Sequence, residues 1–312
     1  MNRLAKQVAA ILALGTLMVG ALLVFGLSRA GDHGDPLTPQ VLVPGALGVG
    51  LLALFALRTT RSARPLLDLR LLQRRSLAVG ATSMLLVGGA YFGSMMILPI
   101  YVQAARGDSA TVAGLLMIGQ ALTTGIVVQI ATRLVDRIDP RKIVWFGIGA
   151  TVVAMSLMTS VLAADTSYVA IAGIGILMGV GIGSTFMPIM TAALRGITGP
   201  DLASGTTILT TGNQFAAAIG AAASATLLTA YFNSRVPVLD DGGMAAALGL
   251  PDVERLVAAP GLAGAVADTY VLTVGMLIAG FGVSLLLPKS GAIPGPDTPQ
   301  GSTQAMASDA AG

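Results

Sequence analysis

The sequence predicts an all-α transmembrane protein of about eight membrane-spanning helices, and three observations carry that prediction. Only 11% of the 312 residues are charged and 54% are hydrophobic, whereas a soluble domain carries about 25% charged residues to cover its core. Mean hydropathy is +0.81. The apolar residues also come in unbroken blocks of roughly twenty, the length that crosses a hydrocarbon layer about 30 Å thick. Backbone inside lipid must satisfy its own hydrogen bonds, which leaves helices or a closed barrel. A barrel needs alternating segments of about ten residues, and these blocks do not alternate.

Taken in order, the spans read as 7–27, 40–57, 77–99, 110–131, 143–163, 167–191, 205–231 and 269–287. The first follows Arg3 and Lys6. A removable leader would have an apolar core of about 7–15 residues. This run is longer, and Ser28-Arg29-Ala30 is a poor cleavage site. The organisation is then two helices over 1–58, a basic linker over 59–76, a six-helix bundle over 77–287 and a Pro-, Gly- and Ser-rich tail over 288–312. The tail is too polar and too small-residue-rich to build a core and is expected to be disordered. Residues 232–268 carry mixed charge and read as a long outer loop.

Orientation follows from the basic residues. Of the 18 Lys and Arg, only Arg29, Arg106, Arg235 and Arg255 fall on one side. The remainder, among them Arg74, Arg133, Arg137, Arg141, Lys142 and Arg195, fall on the other. Basic residues concentrate in cytoplasmic loops, so both termini are expected in the cytoplasm of a multi-pass inner (plasma) membrane protein. The same rule accounts for a pI near 9.5 without invoking nucleic acid.

Chemistry is sparse. Cysteine is absent and histidine occurs once, at His33, which excludes disulfides and any Cys- or His-based metal cluster. No nucleotide, hydrolase or zincin motif occurs, so an enzyme is not expected, nor any cofactor. Ionisable residues inside a membrane mark ion paths, and none lies at the centre of a span. Asp108, Asp165 and Asp268 stand at outer helix starts and read as caps; Asp268 is the one candidate for proton coupling. Gln120, Gln129, Asn213 and Gln214 lie inside spans. They serve either as interhelical hydrogen-bond partners or, for Gln120, Asn213 and Gln214, as the lining of a central cavity. Met95, flexible and polarizable, and Tyr101 are candidates for the same cavity. Gly173, Gly175, Gly179, Gly181 and Gly183 suit close helix packing, and Pro188 is expected to bend the same span near its cytoplasmic end. Asp136, with Arg137 and Arg141, lies between two spans. It forms either a conformational latch or a solvated loop that sets topology.

Several stretches together resemble a known family. Pro65-Leu66-Leu67-Asp68-Leu69-Arg70-Leu71 is similar to a linker, and Leu98-Pro99-Ile100-Tyr101-Val102-Gln103 to a helix end. Gly107, Ser109 and Ala113-Gly114-Leu115-Leu116 are similar to the next loop and helix. Arg133-Leu134-Val135-Asp136-Arg137-Ile138 with Pro140-Arg141-Lys142 resembles a signature loop, and Ala203-Ser204-Gly205 with Gln214 and Gly220 the penultimate helix. In this order they resemble the C-terminal part of the fourteen-span drug:proton antiporters of the major facilitator superfamily. The signature loop usually has glycines where this chain has Thr132 and Asp139, and proline often stands at Gly119.

The resemblance implies the C-terminal six-helix half of a major facilitator fold preceded by two linker helices. It implies export of amphipathic or cationic small molecules by alternating access, driven by protons, with a gating role for Asp136, Arg137 and Arg141. Such a carrier encloses its path between two halves, and one half alone cannot. Three readings stay open: a transporter with a separate N-terminal half, a homodimer, or a non-transporting assembly partner or remnant.

Overall fold

The structure, a computed structural model, describes residues 69–239 and 242–287. The two leading spans, most of the basic linker and the tail lie outside the described residues. Eight α-helices follow a short 3-10 turn at Leu69–Gln73. They are α1 (Arg75–Ile100), α2 (Ala110–Leu134), α3 (Pro140–Val161), α4 (Tyr168–Gly183), α5 (Phe186–Leu194), α6 (Pro200–Arg235), α7 (Gly243–Leu248) and α8 (Asp252–Ser284). Among the described residues there is no strand. Six helical stretches are long and apolar enough to cross a membrane, α4 and α5 counting as one.

The helix starts are written in the sequence. Ser109 caps α2 by accepting from the Val112 N–H at 3.4 Å. Asp139 caps α3 by accepting from Arg141 N–H at 3.1 Å, with Pro140 in the first turn, where a missing N–H costs nothing. Asp139 thus organises the start of α3. Gly107 joins α1 to α2 with φ +71, a conformation that favours glycine.

Three glycine seams hold the bundle, because apolar helices in lipid associate by close packing rather than by hydrophobic expulsion. Gly88, Gly89 and Gly93 of α1 lie against α6, where Gly220 meets the Gly89 backbone. Gly179 and Gly183 lie against α2: a Cβ on them would stand 2.6 Å from the Gln120 carbonyl and 2.9 Å from that of Thr124. Gly147 meets α4 in the same way, 2.8 Å from the Gly181 carbonyl. The glycine run of α4 therefore serves two neighbours on alternate faces. Gly173 is the exception, with open space around it.

α1 packs on α6 and α8, α3 on α4 and α8, and α2 mainly on α4. One end of the bundle carries Arg74, Arg133, Arg137, Arg141, Lys142 and Arg195 and is called the basic end. The other carries Asp108, Asp165, Asp252, Glu254 and Asp268.

The structure corrects several expectations. The last span does not begin at 269; α8 runs unbroken from Asp252, 33 residues or about 50 Å at 1.5 Å per residue. The stretch read as an outer loop is mostly folded. α6 continues to Arg235, a 3-10 turn covers Pro237–Leu239, and α7 precedes α8. The charges that obscured the helix are accommodated: Asp252 and Glu254 lie in its first turn, where negative charge suits the helix dipole. Arg255 pairs with Asp252 at 3.2 Å and donates to the Leu250 carbonyl at 2.6 Å. Leu262, Val266 and Tyr270 of α8 join Tyr101, Leu228 and Phe232 in a buried core at this end. Asp108 and Asp165 are not caps either. Asp108 accepts a hydrogen bond from the Tyr168 hydroxyl, and the residues at the two helix starts are Ser109 and Ser167.

The sixth predicted span is split at Ser184–Thr185, between α4 and α5. Pro188 lacks the N–H that would reach the Ser184 carbonyl, so the helix cannot continue unbroken there. The Ser184 and Thr185 hydroxyls donate back to the Val180 and Gly181 carbonyls at 2.8 and 2.6 Å.

Candidate substrate-facing site

Amide side chains separate the helices into two kinds. Among the described spanning helices, Gln120, Gln129, Asn213 and Gln214 all belong to α2 and α6. α3 and α8 have none, and their outward faces are chiefly apolar, with Phe146, Val153 and Leu157 on one and Val271 and Ile278 on the other. Hydroxyls on a helix can satisfy themselves on their own backbone, as Thr207 and Thr210 do. A primary amide has two donors and an acceptor, and its own helix can take only part of them, as when Gln103 donates to the Pro99 carbonyl at 3.1 Å. An amide presented outward from a membrane helix therefore calls for protein or water against it.

Gln120 is 5% exposed. It lies where α2 meets α4, with its side chain close to that of Tyr91 of α1. The Tyr91 ring meets Phe186 at the start of α5, with centroids 6.1 Å apart and planes at 61°. It also meets Phe92 at 5.2 Å. All three rings are half-buried. Three helices thus converge on one tyrosine: α2 supplies a nearby amide, α5 the flanking ring, α1 the ring itself. The break before Phe186 sets the direction of α5 and so places that ring. Met95, 37% exposed, stands one turn along α1 from Tyr91, on the same side of the helix.

The other expected cavity residues are placed differently. Gln214 is exposed on α6, and no hydrogen bond joins it to the Tyr91 group among the described residues. Asn213 turns toward α1, where its Oδ1 is buried beside Gly88 without a hydrogen-bond partner. Tyr101 is fully buried in the core near the acidic end, and its hydroxyl donates to the Ala163 carbonyl at 2.6 Å. It fastens α1 to the turn between α3 and α4. Arg106 strengthens that junction, donating to the Ala164 and Thr166 carbonyls at 3.0 Å and lying over the Tyr168 ring at 4.6 Å.

Asp268 lies within α8 and pairs with Arg235, the last residue of α6. At the basic end Asp136 and Arg137 are exposed. Arg141 lies over the Trp145 ring at 4.8 Å and donates to the Leu285 carbonyl at 3.4 Å. Trp145 donates to the Ser284 carbonyl at 3.3 Å. Together they receive the closing carbonyls of α8, where positive charge suits the helix dipole. Arg74 does similar work between α1 and α6, donating to the Gly196 carbonyl at 3.2 Å and facing Asp201 at 3.7 Å.

Sequence reasoning named Gln120 and Met95 but passed over Tyr91 and Phe186. The nearest signal was Phe186 itself, two residues before a helix-interrupting proline.

Comparison with known proteins agrees with this architecture. Residues 80–253 match the model of the Major Facilitator Superfamily. A multidrug resistance protein B homolog of Mycobacterium tuberculosis is 32% identical over 215 residues, covering 68% of this chain and 40% of that protein. The lincomycin resistance protein LmrB of Listeria innocua is 29% identical over 217 residues, covering 70% of this chain and 45% of that one. The chain thus spans less than half the length of these curated relatives. With its helical bundle, its glycine seams and the matched stretch together, the chain is a multi-pass membrane protein of the Major Facilitator Superfamily.

Proposed function

We propose that the chain forms the C-terminal part of a drug exporter that works by alternating access. Its basic end faces the cytoplasm, and the open side of α2 and α6 turns toward a second set of helices. The supporting observation is the placement of amides: helices that face only lipid have no use for Gln129 and Gln214 on exposed positions. The relatives' names, multidrug resistance and lincomycin resistance, point to small amphipathic drugs as cargo.

In this reading residues 69–287 move as one body. At one end Tyr101 and Arg106 fasten the turn between α3 and α4; at the other Arg141 and Trp145 fasten α8 to α3. A rigid half is what rocking about a central path requires. Arg141 acts as a fastener of the half, and Asp136 and Arg137 remain free to meet the partner half as a cytoplasmic latch. Proton coupling is assigned to the partner half. Asp268 contributes an ion pair that ties α6 to α8. The two leading spans act as the linker pair of the fourteen-span architecture.

The test is export of a cationic dye by cells making the chain together with a matching N-terminal half. Restored export is expected. Export unchanged by the partner, with both pieces inserted and stable, would remove the transport reading and leave a homodimer or a non-transporting assembly partner.

A further inference from the structure

We propose that the outward face of α3 and α8 holds one anionic phospholipid at its basic end, with the phosphate on Lys142 and Arg141 and an acyl chain seated at Gly149. This face lies apart from the exposed amides of α2 and α6, and the site does not rest on the exporter reading. The charges come first. Lys142 is exposed at the start of α3, and among the described residues it makes no ion pair. Arg141 beside it has no carboxylate partner there either. Its guanidinium lies over the Trp145 ring and donates to the Leu285 carbonyl at 3.4 Å, while its Nε is buried with no hydrogen-bond partner. Of the two carboxylates in the turn before α3, Asp139 caps the helix and Asp136 is exposed. Adjacent cations at a membrane surface, with no carboxylate of the described residues paired to them, suit a phosphate.

The surface below these cations is shaped for a chain. Lys142, Phe146, Gly149 and Val153 follow at i, i+4, i+7 and i+11 and form one stripe of α3. Phe146 is 61% exposed and Val153 52%, and a Cβ on Gly149 would meet nothing within 4 Å. The stripe therefore dips between two apolar side chains. From Lys142 to Val153 the helix rises about 16 Å, and one leaflet of hydrocarbon is about 15 Å deep. A head group on Lys142 thus lays its chain over the dip within a single leaflet. α8 packs beside α3 and repeats the pattern. Gly282 has open space around it, between Leu285 and Ile278, both exposed, and seats the second chain.

Charge also decides between a lipid and a second copy of the chain. Two copies packed side by side through this stripe would bring Lys142 against Lys142, and like charges across an interface repel. An anionic head group removes that repulsion. The turn that follows α3, at the opposite end of the bundle, offers no such site. Arg106 there is committed to the Ala164 and Thr166 carbonyls, and Asp165 adds negative charge. Selection by head group is therefore confined to the basic end.

Trp145 is the one tryptophan of the sequence, so its fluorescence reports on this site alone. The experiment reconstitutes the full chain in phosphatidylcholine vesicles. These contain a fixed small fraction of phosphatidylglycerol or of phosphatidylcholine brominated in the upper part of its chains, and bromine quenches a nearby indole. The brominated phosphatidylglycerol is expected to associate about 5-fold more strongly than the phosphatidylcholine, the preference that one cation supplies at a membrane surface. Lys142→Gln should abolish that preference. Arg133→Gln, which removes an exposed cation of α2 at the same end, should leave it unchanged. Equal quenching by the two lipids, an unchanged preference in Lys142→Gln, or an equal fall in Arg133→Gln overturns the inference. Gly149→Leu fills open space, leaves the fold intact and should weaken association of the phosphatidylglycerol. Glycerophosphoglycerol, the head group without chains, should not relieve the quenching. Relief by it, or wild-type association in Gly149→Leu, would show an anion site with no seat for a chain and overturn the lipid assignment. Quenching by neither lipid would show that protein covers this face.

Discussion

α3 and α6 are both apolar helices that leave part of their surface uncovered, yet what they leave uncovered differs. α3 presents Phe146, Val153 and Leu157, side chains at home in lipid. α6 presents Gln214 beside Thr207 and Thr210. α2 extends the contrast: only 11% of its most apolar window is buried, against 61% for the first spanning helix. Its exposed stripe carries Gln129 in line with Leu122 and Ile126, the three sharing one face at i, i+4 and i+7. Hydropathy does not separate these helices. What separates them is where exposed amides fall: they mark the faces that wait for protein or water.

The first way to break that comparison is to fill a seam. Gly220 lies directly on the Gly89 backbone, with no flexible side chain to yield. Gly220→Leu is expected to cost about 3 kcal/mol or more through overpacking, seen as loss of a folded, monodisperse species after extraction. The same change on an open face has a different outcome. Gly125 has nothing within 4 Å of the position its Cβ would take, so Gly125→Leu should change the stability of the chain alone by less than about 0.5 kcal/mol. A large loss there would show that the face is already covered within the chain.

An intermediate effect is expected at the junction near the acidic end. Tyr101→Phe removes the donor to the Ala163 carbonyl in a buried setting and should cost about 1–2 kcal/mol, measured as a lowered melting temperature. A smaller effect than that of Tyr101→Phe is expected of Asp268→Asn. Both partners of its ion pair are partly exposed, and such pairs contribute about 0–1 kcal/mol. A larger loss would mean that the pair is sealed off when the partner half is present.

The number and order of the spans from residue 77 onward, the close packing of the α4 glycines and the interruption near Pro188 were all legible in the sequence, because each rests on local chemistry. α8 was half-read. Asp252, Glu254, Arg255, Pro260 and Asp268 interrupt the apolar run, and nothing local says that Asp268 will meet an arginine 33 residues away. The site was legible only in part for the same reason. Gln120 stands out as an amide in an apolar helix, but Tyr91 and Phe186 look like ordinary apolar filling until three helices bring them to one point. Tyr101 was a cavity candidate; its side chain is fully buried and its hydroxyl donates to a carbonyl 62 positions along the chain.

On this reading the open face of α6 meets water in a shared cavity while that of α3 meets lipid. The chain has no cysteine, so single cysteines report on it cleanly, since a hydrophilic maleimide reacts with a thiolate and hence only where water reaches. Gln214→Cys and Val153→Cys, compared in cells making the matching N-terminal half, test it directly. The account predicts rapid labelling at 214 and none at 153. Equal silence at both positions, in protein that labels normally at an exposed position of the outer end such as Val253→Cys, would contradict it.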